Sequence, residues 1–340
     1  MKKSRILKLV LIILGVTFFA GCAGEKMPKY SILQGLRVLG IVADFPEVNF
    51  DGTTFSTPAA TSVVQITPVI SDLYGGTRTL RYNLYHCMDP GVGVGAIPTC
   101  TGNPSRVDVQ TSQAVVDAAG GFESAVNRTG AIPPVTIDLS AGGLGPSVAA
   151  VYAAKWSSLS GSQQFNGFSI LIFFELYPDA DESKKITTFK RLIVSGPAKT
   201  TKNSNPSTLT FLSEGANLST TQTLPTLKSS VDAFVPALDF ETYLFMDASG
   251  NTSSIQESIE TAWFFTGPED VKCSKDKECS TDGLFSLSRT VPGELNVFTP
   301  PAVALPTTRG RVLIGIAKDN RGGAKVTRIC DGNGNAANCP

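Results

Sequence analysis

Short apolar runs and strict apolar–polar alternations recur along this chain, separated by Gly, Pro, Ser and Thr, and their spacing favours strands over long helices. LRVLGIVADFPEV (36–48) predicts a first strand buried on both faces and closed by Pro46. TSVVQITPVISD (61–72) and TLRYNLYHC (79–87) predict two more, joined by Tyr74-Gly75-Gly76-Thr77 as a hairpin loop. In the second of these, a period of two puts Leu80, Tyr82, Leu84 and His86 on one face and Arg81, Asn83 and Tyr85 on the other. FSILIFFELYPD (168–179) and KITTFKRLIVSG (185–196) predict an antiparallel hairpin pair. Between Met88 and about Gly167 the pattern weakens. This stretch reads as an insertion with one strand, VTIDL (135–139), and one helix, SVAAVYAAKWSSL (147–159).

After Pro197 the segment AKTTKNSNPST is polar and carries no apolar period, so 198–207 is expected to be a linker. Beyond it, TLTFLSEG, the run 231–243, IETAWFFTG, GRVLIGIAKD and AKVTRIC supply a second set of strands. The last two are joined by Asn320-Arg321-Gly322-Gly323, whose glycines accept positive φ. Without regular strand–helix alternation, the expected class is mostly all-β, as two antiparallel sandwich domains. Their expected bounds are 35–197, with the insertion at about 88–167, and 208–340.

Residues 1–21 have a different character: basic Lys2, Lys3, Arg5 and Lys8, then an apolar stretch from Leu9 to Ala20, then small residues. This is the order of a secretory signal. As a helix the stretch would measure about 18 Å against a hydrocarbon core of about 30 Å, too short for a permanent span. Phe19-Ala20-Gly21-Cys22 resembles the bacterial lipobox. The resemblance implies cleavage before Cys22, lipid on its thiol and a short tether over 22–34; two or three acyl chains make such anchoring stable. Ala23 is not the aspartate that resembles an inner-membrane retention signal, which implies the outer membrane, with the leaflet left open.

Two further segments carry a family resemblance. RVLIGIAKDNRGGAKVTRI is similar to the last hairpin of bacterial immunoglobulin-like modules of the polycystic-kidney-disease and cadherin-related type, with their Asp-x-x-Gly-Gly turn. ETAWFF resembles the preceding strand, with Trp263 as its core aromatic, and LRVLGIVADFPEV resembles the first strand of such modules in envelope lipoproteins. The resemblance implies a fold and a binding or spacer role, and carries over no catalytic residue.

Lys+Arg and Asp+Glu are each 29, so loss of the basic signal would leave a mild acidic excess. That balance argues against nucleic acid as a partner. Besides Cys22 there are six cysteines, Cys87, Cys100, Cys273, Cys279, Cys330 and Cys339. Their connectivity is open, and local pairing 87–100, 273–279 and 330–339 is the simplest arrangement in an oxidising compartment. A zinc site would need C-x-x-C spacing and partner histidines, which are missing, so no metal cofactor of that kind is expected.

Candidate chemistry is sparse. Gly91-Val92-Gly93-Val94-Gly95 lies between Cys87 and Cys100 and precedes Pro98, as a disulfide-bounded loop does and a phosphate loop does not. Ser147, in Gly-Pro-Ser-Val-Ala, stands where a hydrolase nucleophile would. The only histidine, His86, lies upstream, so an N-cap role for Ser147 and a structural one for His86 are favoured. Asp331, Asn333 and Asn335 alternate as the start of a calcium loop does, but no bidentate glutamate follows before Pro340. Asp179, Asp181 and Glu182 equally suit a solvated turn, and the aromatics Trp156, Trp263, Phe173, Phe174, Phe264 and Phe265 suit a core more than a glycan platform. Three functional classes therefore stand: a lipid-anchored, non-catalytic envelope module for a protein or glycan partner; a lipid-anchored serine hydrolase using Ser147; and a calcium-dependent adhesin.

Overall fold

The computed structural model describes residues 36–72, 78–91, 97–115, 128–213, 216–218, 231–236, 239–265, 288–290, 296–298 and 311–331. The signal-like segment with Cys22, residues Cys273, Cys279 and Cys339, the side chains of Cys330 and Asp331, and Asn333 and Asn335 lie outside them, as do Tyr74–Thr77 and most of the glycine run at 91–95.

The fold is mostly β and antiparallel. Ten strands come before the 198–207 segment: β1 (Leu36–Ala43), β2 (Glu47–Phe50), β3 (Phe55–Ser56), β4 (Val63–Asp72), β5 (Leu80–Met88), β6 (Val107–Ala114), β7 (Arg128–Ala131), β8 (Val135–Asp138), β9 (Phe168–Pro178) and β10 (Ile186–Ser195). They form two sheets, one in which β4 pairs with β1, β7 and β8, and one ordered β3-β2-β10-β9-β5-β6. Ile41, Ile66 and Ile137 of the first sheet meet Leu84, Ile172, Phe174 and Leu192 of the second in one buried core. This is a β-sandwich.

Several local readings change in three dimensions. β4 and β5 do not form a hairpin; they belong to opposite sheets, so the chain crosses the sandwich between them. The apolar sides of both strands point into the same core, from opposite sheets. The stretch 88–167 contains the expected helix, Pro146–Ser158, and VTIDL as β8, but it also supplies β6 and β7 to the sheets. β6 was hidden because its sequence, VDVQTSQA, is polar, and it sits half exposed at a sheet edge. β1 is closed before Pro46, and its register shifts between Val38 and Gly40. The shift lets Ile41 and Ala43 face the sandwich core while Leu39 faces a second cluster.

β9 and β10 pair in the expected hairpin, from Ile186↔Leu176 to Val194↔Phe168. β9 reads as a continuous apolar run because both its faces are covered. Ile170, Ile172, Phe174 and Leu176 enter the sandwich core, and Leu171 and Phe173 pack with Tyr85, Cys87 and Cys100 on the other side. Cys87 and Cys100 form a disulfide there, as local pairing predicted.

After 207 come β11 (Thr210–Ser213), β12 (Ala216–Asn217), β13 (Val231–Phe234), β14 (Thr242–Met246), β15 (Thr252–Gln256), β16 (Ile259–Phe265), β17 (Ser288–Thr290), β18 (Asn296–Phe298), β19 (Arg311–Asp319) and β20 (Ala324–Asp331). They build a sheet β12-β11-β13-β18, a sheet β17-β16-β19-β20 and a separate two-stranded sheet β14-β15. Trp263 is fully buried and stacks on Phe211 with ring centroids 5.1 Å apart. Gly315 makes this possible, because a Cβ there would lie 2.7 Å from the Phe211 ring. The other face of β19 carries Ile314 and Ile316, which pack on Leu39 of β1 and Val69 of β4. Each such side chain contributes about 1.5–3 kcal/mol on leaving water. The strand sets on either side of 198–207 are therefore in apolar contact.

Candidate functional site

Among the described residues, the densest cluster of buried charge lies where 198–207 joins these strand sets. Glu47, the first residue of β2, is completely buried beside an apolar strand. Its carboxylate meets Lys199 Nζ at 2.8 Å and Arg321 Nη2 at 2.6 Å. It also accepts a hydrogen bond from Ser195 Oγ, and one from the Asn203 amide at 2.9 Å. Burial alone would raise the Glu47 carboxyl; the Lys199 charge and the hydrogen bonds from Lys199, Ser195 and Asn203 outweigh it and hold the group below the usual carboxylate range. Lys202 donates to Ser195 Oγ and to the Gly196 carbonyl, both at 2.8 Å, and burial pulls its ammonium down to about 8 against the pull of Glu47.

Arg321 reaches Glu47 from the tip of the β19–β20 hairpin, and the sequence of that turn explains how. Asp319 Oδ1 accepts from the Arg321 and Gly323 amides at 2.8 and 2.7 Å, an Asx-type closure. Gly322 takes φ 105°, and a Cβ on Gly323 would stand 1.9 Å from Asp319 Oδ2. The Asp-x-x-Gly-Gly pattern is thus a device that aims Arg321. The guanidinium also lies 3.4 Å from Glu241, 3.7 Å from Glu257 and 4.4 Å above the Tyr243 ring centroid. Glu257 is buried with one carboxylate oxygen lacking a hydrogen bond; burial first, then the Asp319 charge, pushes it up to about 8 despite Arg321.

Asn205 finishes the junction by acting on both sides, donating to the Ala43 carbonyl at 2.7 Å and accepting from the Ala324 amide at 2.8 Å. Lys190 of β10 donates to the Gly322 carbonyl. The 198–207 segment is pinned chain in which Lys199 and Asn203 are buried. Sequence reasoning passed over Glu47, Lys199, Asn203 and Arg321. The available signal was a glutamate at the head of the apolar strand EVNF.

The residues singled out from sequence fall elsewhere. Ser147 is exposed in the second position of its helix and caps nothing. Pro146 takes the first position and moves the cap back to Gly145, which corrects the N-cap expectation. Ser140 and Ser160 are the serines that cap helices here, each accepting from an amide three residues on. His86 is buried in the sandwich core with both ring nitrogens lacking a hydrogen-bond partner, and burial takes it down to about 4. No hydrogen bond joins it to Ser147. Asp181 is engaged by Ser183 and by Lys184 at 3.0 Å, as a solvated turn would be. Among the described residues no group of three or more His, Cys, Asp or Glu side chains is arranged to hold a metal. Trp156, Phe173 and Phe174 are buried like Trp263, Phe264 is partly so, and the side chain of Phe265 lies outside the described residues.

A cavity of about 370 Å³ opens beside β6, lined by Tyr82, Gln110, Gln113, Pro133, Pro134 and Thr136 among others. Its polar lining is uncharged. No described helix is long and apolar enough to cross a membrane.

These features define a mostly antiparallel β-sandwich protein, with β2 and β10 as a parallel pair, that holds a buried ionic junction. No protein-family model matches the chain, and no curated protein matches it. Among solved structures, a red sea bream transglutaminase is similar over 87% of this chain and 31% of its own length, at 10% identity and a TM-score of 0.24. A Salmonella alpha-2-macroglobulin reacted with methylamine is similar over 92% of this chain and 17% of its own, at 7% identity and a TM-score of 0.20. The chain therefore spans less than a third of either.

Proposed function

We propose that this chain is a lipid-anchored cell-envelope lipoprotein that works without catalysis, as a binding or structural module built from immunoglobulin-like β units. The observation that carries the reading is Cys22, placed directly after a basic, then apolar, then small-residue segment. The body behind it supports a mechanical role, because its buried charges at Glu47, Lys199 and Arg321 are engaged in joining strand sets. The Cys87–Cys100 disulfide fits an oxidising compartment outside the cytoplasm. Ala23 after the anchor favours the outer membrane, and the mild acidic excess favours a protein or glycan partner over nucleic acid.

Metabolic labelling with an alkyne fatty acid tests the anchor. The wild-type chain is expected to take up label and fractionate with outer membrane, and Cys22→Ser to lose both properties. A native mass showing unmodified Cys22, or label that persists in Cys22→Ser, defeats the reading. Fluorophosphonate labelling that disappears in Ser147→Ala would replace it with the hydrolase.

A further inference from the structure

We infer that β15 is an interaction edge that pairs antiparallel with β15 of a second copy of this chain. β14 and β15 form a two-stranded sheet, in unbroken register from Thr242↔Gln256 to Met246↔Thr252. Such ribbons are marginal alone and gain from a third strand. The side of β14 away from β15 is partly occupied, because the Asn166 amide group bonds the Met246 carbonyl at 2.6 Å and its amide N–H at 2.9 Å. All five residues of β15 are exposed.

The hydrogen-bond parity shows what the free edge offers. Asp247 N–H donates to the Asn251 carbonyl and Glu257 N–H to the Glu241 carbonyl. Alternation between these two points leaves Ser253 and Ile255 bonded to β14 and turns the N–H and C=O groups of Thr252, Ser254 and Gln256 outward. Those groups find no protein partner among the described residues.

Among the described residues, several other outer strands are guarded in the usual ways. β20 carries Lys325 and Arg328, β6 is irregular in register and carries Asp108, β1 is irregular and carries Arg37, and β3 and β12 are two residues long. β15, Thr-Ser-Ser-Ile-Gln, has no charge, no proline and no bulge, and β14, Thr-Tyr-Leu-Phe-Met, has none either. Of the four exposed large hydrophobic residues among the described ones, three lie on this hairpin: Leu244, Phe245 and Ile255, at 40%, 42% and 36% exposure.

The occupant follows from the register. A second β15 centred on Ser254 places Ser254 opposite the second copy's Ser254, and Thr252 opposite the second copy's Gln256. Each of the outward-turned residues thereby gains a hydrogen-bonded pair. No like charges oppose each other. One face of the resulting four-stranded sheet then carries a row Phe245, Ser253 and the second copy's Ile255 and Tyr243, repeated by the twofold axis. The uncharged edge and the apolar row are thus both satisfied by the chain's own sequence.

The test uses the full chain purified in detergent, with protein mass read by light scattering. Wild type is expected to be a dimer. Ser254→Pro is expected to be a monomer with unchanged near-ultraviolet circular dichroism, because the lost N–H points away from β14. Ile255→Lys, which places a charge in the shared row, is expected to do the same. Ser254→Cys is expected to crosslink on mild oxidation and Ser253→Cys to do so far less, since facing Cα atoms at about 5.5 Å fall within disulfide range. A monomeric wild type, a dimer that survives both Ser254→Pro and Ile255→Lys, or no preference for position 254 in crosslinking would each overturn the proposal. Capture of a different protein by a monomeric wild type would do so too.

Discussion

Glu47→Ala would leave Lys199 and Arg321 in the junction with no carboxylate between them, and Ser195 Oγ and the Asn203 amide without their acceptor. Glu47 is 0% exposed and its two cationic partners are 5% and 8% exposed, so water gives little relief. Removing one partner of a buried pair costs about 3–5 kcal/mol, and a newly orphaned donor about 1–3 kcal/mol. A loss of about 4 kcal/mol is therefore expected, and at about 2 °C per kcal/mol the melting midpoint falls by about 8 °C. Trp156 and Trp263 are buried in different cores, so single-tryptophan versions report each strand set separately during guanidinium unfolding. In the wild type both signals should change at one midpoint. In Glu47→Ala the midpoints should fall and separate, because the contact of Leu39 and Val69 with Ile314 and Ile316 remains as the main apolar tie. Glu47→Gln, which keeps an acceptor, should lose less. Midpoints shifted by under about 0.5 kcal/mol, the scale of an ordinary surface change, would refute the assignment of the junction as the joint.

The other predictions concern single groups. Glu257 is raised to about 8 in the folded chain from 4.5, so the folded state binds its proton more tightly and stability from this group is full below about pH 4.5 and lost as pH rises through 8. Glu257→Gln should match wild type in acid and exceed it in denaturant midpoint above pH 8; equal curves across that range would refute this. His86 is depressed to about 4 from 6.5, so its unfolded form takes up protons first and stability falls as pH drops from about 6.5 toward 4. His86→Phe should flatten that part of the curve by up to about 3 kcal/mol, measured by urea unfolding at each pH. Ser147→Ala should leave the midpoint within about 0.5 kcal/mol, whereas loss of a working N-cap would cost about 1 kcal/mol. Ser160→Ala, which removes a capping box, is the positive control.

Period-two alternation made the β9–β10 and β19–β20 hairpins and the all-β class legible in the chain itself, because side-chain direction in a strand is a local property. The close spacing of Cys87 and Cys100 likewise announced a local disulfide. Sheet membership was not local: β4 and β5 carry the same inward alternation whether they pair side by side or face each other across a core, so only the packed structure could separate a hairpin from a crossover. Polar β6 gave no periodic signal, since an edge strand buries little. The 198–207 segment shows the limit most directly. Its lysines and asparagines have the composition of solvated chain, and they become buried because Glu47, more than a hundred and fifty residues away, and Arg321 from the far hairpin arrive to neutralise and bond them. Charge at a position is written in the sequence. The dielectric around it, and therefore whether that charge floats in water or ties one half of the body to the other, belongs to the tertiary structure.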